Sequence, residues 1–600
     1  MAPGGYFGSV LLVEVDGATA TADALPIPDR VLRAYLGGVG LGTWLLHRLG
    51  PPGVDPLAPE APLAFVFSPL VGTPLTTSAK FAVVAKSPLT GLLTDALASS
   101  QFAIAGKLTG HDSIVVRGRA DTLSVLLIDS DGVQLQPAPE LAGLSAADAE
   151  AALRERFGRG WRTAAVGPAG ERGVRYATIS HDGRHAGRGG LGAVLGAKNL
   201  KAVLVRAAGK ATVADPDAVL AAAKDLRERS FGPATAKYRE LGTLANLLAF
   251  NAVATLPTRN FTASTFEGAQ NLAAEELHEL RAVARNSCAS CSIGCEHIYK
   301  RKGGGQQRME YENVFALGPL CGVSDADHVF AASATADELG VDTISAGGTI
   351  AWAMECVERG LLDEPWLRFG DGDAVLKALE LIGTRSPGLG ELLAQGSRRA
   401  AEVVGGGSGD FAPHVKGLEL PGYEPRTMQA MALGLAVNSR GADHNRSGAY
   451  DADLSGEVDR LAGGTPHVHA AIGTEDRAAV MDSMILCKFL RGVFSDPFTE
   501  WAALLAPVTG WDIDAAELQT IGRRIVSAKR AFNLREGATS ADDTLPTRLL
   551  ETPLPMESGR TATLTRETLR GMVEGYYAAR GWDDGGRPAP AQTEDLLLDA

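Results

Sequence analysis

Apolar positions along this chain follow two regimes. In the first third they form short runs rich in β-branched residues, at 10–15, 63–67, 81–84, 113–116, 123–128 and 201–205, each cut off by glycine or proline. Runs of that length between turn formers predict strands. Beyond Lys210 the apolar positions recur with a period of about 3.6 residues over longer stretches, which predicts helices. The stretches are 215–229, 273–285, 325–339, 345–359, 477–494 and 515–530. The segment Gly405-Gly-Gly-Ser-Gly409 is the most linker-like inside the chain. Boundaries drawn near 208 and 415 give an α+β multidomain fold. A β-rich N-terminal domain (1–208) precedes two mainly α-helical domains (209–415 and 416–600).

The 600 residues, 45% apolar and 21% charged, are enough for several cores, and 71 glycines with 31 prolines fall short of a low-complexity composition. A formal charge of -14 has the wrong sign for gripping nucleic acid through its phosphates. The first basic residue is Arg30, and no short apolar block with a cleavage site opens the chain, so no secretory signal is expected. The apolar runs at 61–72 and 428–437 are too short to span a bilayer. A cytoplasmic location, with reduced thiols, is the expectation.

The six cysteines are too sparse for a disulfide scaffold, yet three of them form Cys288-x-x-Cys291-x-x-x-Cys295. Three thiolates in one short loop suit an iron–sulfur cluster or zinc, with a fourth ligand from elsewhere. Cys321, Cys356, Cys487 and His297 are the candidates. The spacing is the reverse of the radical S-adenosylmethionine order. Two glycine-rich segments, Gly38-Val-Gly-Leu-Gly42 and Gly187-Arg-Gly-Gly-Leu-Gly192, invite a dinucleotide reading. The second lacks a preceding hydrophobic strand, so the Rossmann context is missing. Its backbone N–H groups, next to Arg184 and Arg188, suit phosphate oxygens.

Two hexads on predicted helices echo each other, Asp337-Glu-Leu-Gly-Val-Asp342 and Asp482-Ser-Met-Ile-Leu-Cys487. An aspartate can accept two parallel hydrogen bonds from an amino-pyrimidine edge. A carboxylate in Glu310-Tyr311-Glu312 and the imidazole of His444 can exchange protons with a substrate.

Together these segments resemble the aldehyde ferredoxin oxidoreductase family of tungsten-pterin enzymes nearly end to end. The resemblance also runs through Lys86-Ser-Pro-Leu-Thr-Gly91, Phe532-Asn-Leu-Arg-Glu-Gly537, Asp542-Asp-Thr-Leu-Pro546 and Arg580-Gly-Trp-Asp583. It implies a β-rich base for a tungsten bis-pyranopterin, with two helical domains closing over it. Asp337, Val341, Asp342 and Thr343 would bind one pterin; Asp482, Leu486 and Lys488 would bind the other. Arg184, His185 and Gly187 would approach pterin phosphates bridged by magnesium, and Arg446 would be a basic pterin contact. Cys487 would complete a 4Fe-4S cluster with Cys288, Cys291 and Cys295. Glu312 matches an acid–base glutamate and His444 a substrate-positioning histidine, with Tyr311 adjacent. The implied reaction is oxidation of an aldehyde with water to the carboxylic acid, electrons leaving through the cluster to ferredoxin or to an iron–sulfur or flavin partner subunit.

Three positions depart from the pattern. Lys80 stands where an arginine is usual, the phosphate-side loop Ala98-Ser-Ser-Gln101 places Ser99 where glycine is expected, and Ile485 replaces a frequent glycine. Molybdenum in place of tungsten, a benzoyl-CoA reductase-type catalytic subunit, and a non-catalytic iron–sulfur or zinc scaffold are the alternatives, and an oligomer is compatible with all of them. Arg281, Arg285, Lys300, Arg301 and Lys302 flank the triplet, and Lys488 and Arg491 follow Cys487. Such a patch would attract an acidic carrier.

Overall fold

The computed structural model describes residues 2–207, 209–556 and 559–598, so Ala208, where the first boundary was drawn, lies outside the described residues. The short apolar runs of the first third form two six-stranded sheets. The first contains β1 (Ser9–Gly17), β2 (Thr19–Pro26), β3 (Leu63–Val66), β4 (Lys80–Lys86), β5 (Leu93–Ser99) and β6 (Ser113–Ala120) in the order β2-β1-β6-β3-β4-β5. The second contains β7 (Ser124–Asp129), β8 (Gly132–Pro137), β9 (Arg162–Val166), β10 (Ile179–His181), β11 (Arg184–Ala186) and β12 (Leu200–Val205) in the order β11-β10-β9-β12-β7-β8. Strands buried on both faces, such as β3 and β12, carry continuous apolar runs.

Helices dominate the remainder, and eight helices of the chain bear on the site. They are α1 (Gly38–Leu49), α2 (Leu191–Gly196), α3 (Tyr311–Leu317), α4 (Ala326–Leu339), α5 (Thr343–Glu358), α6 (Gln429–Val437), α7 (Thr465–Met484) and α8 (Ala515–Arg535). The fold class read from the sequence is thus observed: a strand-rich N-terminal region, then a mainly helical one. Among the described residues no helix is long and apolar enough to cross a membrane.

The first glycine-rich segment opens α1, and its glycines serve close packing. A Cβ at Gly38 would stand 2.4 Å from the carbonyl oxygen of Asp482, and one at Gly42 would stand 2.4 Å from Val84 Cγ2. They let α1 slot between the first sheet and the end of α7, which leaves no room there for a dinucleotide. The second glycine-rich segment caps α2, and Gly190 adopts a left-handed conformation.

Two of the expected helices have different boundaries. The stretch 273–285 is helical only over Ala274–Arg281; β13 (Ala282–Asn286) then pairs antiparallel with β14 (Glu296–Lys300), which pairs with β15 (Gln306–Arg308). Pairing across the cysteine loop outweighs the local helical pattern. The stretch 477–494 belongs to a helix that starts at Thr465, ends at Met484 and is followed by 3-10 turns over Lys488–Val493. Both hexads lie at helix C-termini rather than within helices. Each chain break falls on the fourth residue, Gly340 with φ 78° and Ile485 with φ 67°. Glycine adopts that conformation freely, whereas a β-branched residue there is strained. Ile485 is fully buried, so its packing offsets the backbone cost.

The two breaks dock on different sheets. Asp342 N donates to Tyr176 O and Thr178 N to Gly340 O, which fixes the first hexad beside β10. Ser68 Oγ donates to Met484 O at 2.7 Å and Cys487 N to Thr77 Oγ1 at 3.3 Å, which fixes the second between β3 and β4. Two similar helix ends are therefore each anchored to a different N-terminal sheet.

Candidate active site

The thiol loop connects β13 to β14. Its conformation depends on the segment before β4: Thr77 N donates to Ser290 O at 2.7 Å, and Ser292 N donates to Thr76 Oγ1 at 3.0 Å. Because Thr77 also receives the Cys487 amide, two threonines bring the second hexad to the triplet. Burial raises the Cys291 thiol to about 11, with Cys487 and Cys288 adding to the shift, and raises Cys295 well above the usual range. Cys291 and Cys295 therefore both lie within electrostatic reach of Cys288 and Cys487. Among the described residues no three His, Cys, Asp or Glu side chains stand close enough to hold a single metal ion.

The remaining fourth-ligand candidates are occupied elsewhere. Cys321 and Cys356 are buried in the apolar core, and the His297 ring is 3.1 Å from Tyr238 O through Nε2. Lys80, at the start of β4, is opposed by burial yet raised overall by Cys487, Cys288, Asp482 and Cys291. Ser99, its cross-strand partner, donates to Ala79 O at 3.1 Å.

On the second sheet, Arg184 pairs with Glu296 at 2.8 Å, and His185 Nε2 stands 3.2 Å from Asp337. Asp337 is held down at about 2, against burial, by His185, Arg308 and Gln307. Val341 bridges Ala177 through its backbone, Asp342 caps α5 through Ile344 N and Ser345 N, and Thr343 is the first residue of that helix. A Cβ at Gly187 would meet nothing within 4 Å, so this loop borders open space. Arg188 reaches across to Asp342 at 3.4 Å and to Ala442 O at 2.6 Å, tying the loop to the first hexad and to 440–446.

A second cluster of charges surrounds the other hexad. Asp95, fully buried in β5, accepts from Arg446 Nε at 2.9 Å and Lys529 Nζ at 3.0 Å. Burial alone would raise its pKa, but Arg446, Lys529 and Arg440 hold it well below the ordinary carboxylate range. Asp482 Oδ1 is 3.0 Å from Lys488 Nζ, and Asp482 Oδ2 is 3.3 Å from Arg446 Nη1. Leu486 is completely buried beside them.

Glu312 and His444 come together at 3.6 Å, Oε1 to Nε2. Glu312 lies in the first turn of α3, and His444 opens a short helix whose N-cap, Asp443, accepts from Asn445 N and Arg446 N. Burial pushes the Glu312 carboxyl up to about 8, against the Gly422 N–H and Arg188. Burial also lowers His444 to about 3, against the pull of Asp443. At neutral pH the pair is therefore a carboxylic acid beside a neutral imidazole. The Asn445 amide lies 2.9 Å from Nε2; when it donates there, the ring proton sits on Nδ1. The Tyr311 hydroxyl is taken by Gly422 O, while Gly422 N donates to Glu312 Oε2 at 3.1 Å. Tyr311 thus braces the turn that holds Glu312.

Several buried polar atoms here lack hydrogen-bond partners among the described residues: Glu312 Oε1, His444 Nδ1, and Arg440 Nε and Nη2. Orphaned buried groups are costly, and their concentration at one locus fits an occupant with many acceptors and donors. A pterin with its phosphates is such an occupant, so the residues present fit the group.

Sequence reasoning missed Arg440, Asp95 and Tyr423. Arg440 lies in the same segment as His444, and Asp95 is a carboxylate inside an apolar strand, so both carried a signal. Tyr423 stacks on the His444 ring, centroids 5.1 Å apart, and nothing in its local sequence marks it. The expected basic patch is partly neutralised: Arg281 pairs with Asp327, Lys488 with Asp482 and Arg491 with Asp451. Lys300, Arg301 and Lys302 form no ion pair among the described residues.

The family model for the N-terminal domain of aldehyde ferredoxin oxidoreductase matches residues 12–207, and that for its domains 2 and 3 matches 220–598. A tungsten-containing aldehyde ferredoxin oxidoreductase of Pyrococcus abyssi is 34% identical over 99% of both chains. One of Thermococcus kodakarensis is 35% identical over 95% of both. Among solved structures, the active-site complex BamBC of benzoyl coenzyme A reductase shares the fold, with TM-score 0.83 and 23% identity over 99% of this chain and 97% of that one. With matches that run the length of the chain and join both sheets to the helices carrying Glu312, His444 and the two hexads, this protein is an oxidoreductase of the aldehyde ferredoxin oxidoreductase family.

Proposed function

We propose that the protein oxidises an aldehyde with water to the carboxylic acid, releasing two electrons and two protons. The electrons would leave through a 4Fe-4S cluster on Cys288, Cys291, Cys295 and Cys487 to ferredoxin or a partner subunit. The observation that carries this reading is the buried pair of Glu312, with its pKa near 8, and neutral His444, 3.6 Å apart. A carboxyl titrating close to working pH is suited to take a proton in one half of a cycle and return it in the other.

A tungsten bis-pyranopterin, or its molybdenum counterpart, supplies a two-electron acceptor when bound. Asp337, Val341, Asp342 and Thr343 would hold one pterin, and Asp482, Leu486 and Lys488 the other, with Arg446 and Arg440 between them. Arg184, His185, Gly187, Lys80 and Ser99 would face the phosphates and their magnesium ion. Glu312 accepts a proton from water as it adds to the carbonyl carbon. With the Asn445 amide donating to Nε2, the His444 Nδ1–H, without a partner among the described residues, is free to donate to the carbonyl oxygen. Tyr423, stacked on the imidazole, and Asn445 keep the ring in place. Tyr311 acts indirectly, through Gly422.

The test is viologen-coupled turnover by anaerobically purified protein, with aliphatic and aromatic aldehydes on one arm and benzoyl-CoA on the other. Aldehyde-dependent viologen reduction is the expected result. Oxidation of reduced viologen by benzoyl-CoA, with no response to any aldehyde, would replace this reading with ring reduction.

A further inference from the structure

A cavity of about 530 Å³ is walled in part by Asn445, whose amide contacts His444 Nε2 and so links it to the catalytic pair. Its apolar surface is aromatic: Tyr238 stacks on Phe489 with centroids 4.1 Å apart, and Phe494 packs edge-on against Trp501. Its charge is opposite to that of the chain. Lys237, Arg477, Lys488 and Arg491 all line it, and Asp451 is the carboxylate facing them.

Two of these cations are already neutralised. Arg491 binds Asp451 at 3.0 Å and donates to the Tyr450 hydroxyl at 2.6 Å, and Lys488 binds Asp482 at 3.0 Å. The other two are not. Lys237 donates to the Asn246 carboxamide at 3.2 Å, and Arg477 has no carboxylate partner among the described residues. In a protein of formal charge -14, a cavity with two surplus positive charges, one residue removed from His444 through Asn445, is a local reversal. Aromatic walls accept a carbon chain or ring, and a lysine and a fork-shaped guanidinium accept an anionic oxygen group. The volume lies in the range of small-molecule sites.

We infer that this cavity selects an aldehyde carrying a second, anionic group, a carboxylate or a phosphate, bound by Arg477 and Lys237 while the carbonyl faces Glu312 and His444. The inference rests on the proposed aldehyde oxidation for the reacting end, but the anion site itself does not need it. Both cations are exposed, so the interaction weakens as salt rises.

Calorimetric titration of the holoprotein separates the two claims. Glutarate tests the carboxylate arm, glycerol 3-phosphate the phosphate arm, and neutral glutaramide is the control. Binding of one or both anions and none of glutaramide is expected, with affinity falling about tenfold in Arg477→Gln and further when Lys237→Gln is added. The kcat/KM preference for 5-oxopentanoate over pentanal should fall by the same factor. Anions that bind no better than glutaramide, or variants that bind them as the parent does, overturn the inference even if aldehydes are oxidised. Anion binding lost in Arg477→Gln, without turnover of any aldehyde, supports the site and rejects the aldehyde reading instead.

Discussion

Glu312→Gln is expected to lower kcat at least about a hundredfold, the usual scale for losing a general acid–base group. The substitution keeps the size of the side chain and a group able to accept from Gly422 N–H, but it removes the titrating proton. Below about pH 8 the parent carboxyl is protonated and cannot accept a proton; above it, the carboxylate can. The rate of the parent, as kcat/KM, should therefore rise with pH and level off above about 8, whereas the variant's residual rate should be flat over that range. Stability gives an independent check. A carboxyl whose pKa is raised on folding weakens the folded state as pH rises above the unfolded value, so the neutral amide should leave the thermal midpoint unchanged or raise it. A variant with parental kcat and a parental pH profile would remove Glu312 from the proton path.

Arg446→Met should have the largest effect on stability, about 3–5 kcal/mol, the cost of breaking a buried ionic network by removing one partner. Arg446 spans two buried carboxylates, Asp95 at 2.9 Å and Asp482 at 3.3 Å, and without it Asp95 keeps Lys529 at 3.0 Å and the more distant Arg440 at 3.9 Å. The pKa of Asp95 is depressed in the folded protein, so the stability this network contributes is present above the unfolded carboxylate value of about 3.9 and is lost as pH falls through the folded one. Denaturation midpoints of parent and variant should thus diverge at neutral pH and converge in acid. Arg446→Lys, which keeps the charge without the fork, should fall between them. Equal stability at neutral pH would show that the network contributes nothing.

Much of the fold was legible because local pattern and tertiary structure agree. Strands such as β3 and β12 and helices such as α4 and α8 lie where runs and periods put them. The hexads were visible as repeated Asp-x-x-x-x-ligand spacing, though their place at helix ends was not. At Ile485 the sequence hides the break, because a β-branched residue occupies a left-handed position. The strand Ala282–Asn286 was hidden because its partner lies beyond the cysteine loop. Site residues near a motif, such as Glu312, His444 and Cys487, could be singled out. Asp95 was visible only as a carboxylate inside an apolar strand; its partners Arg446 and Lys529 were not, being more than three hundred and fifty positions away in one case and over four hundred in the other. The partial neutralisation of the basic patch was hidden for the same reason: the carboxylates that pair with Arg281 and Arg491 are distant in sequence.

The central claim, a tungsten-pterin oxidoreductase wired through an iron–sulfur cluster, is tested most directly by elemental analysis of the anaerobically purified protein. The account predicts tungsten or molybdenum together with iron, and loss of iron in Cys487→Ser. Zinc alone, with no tungsten, molybdenum or iron, would contradict it.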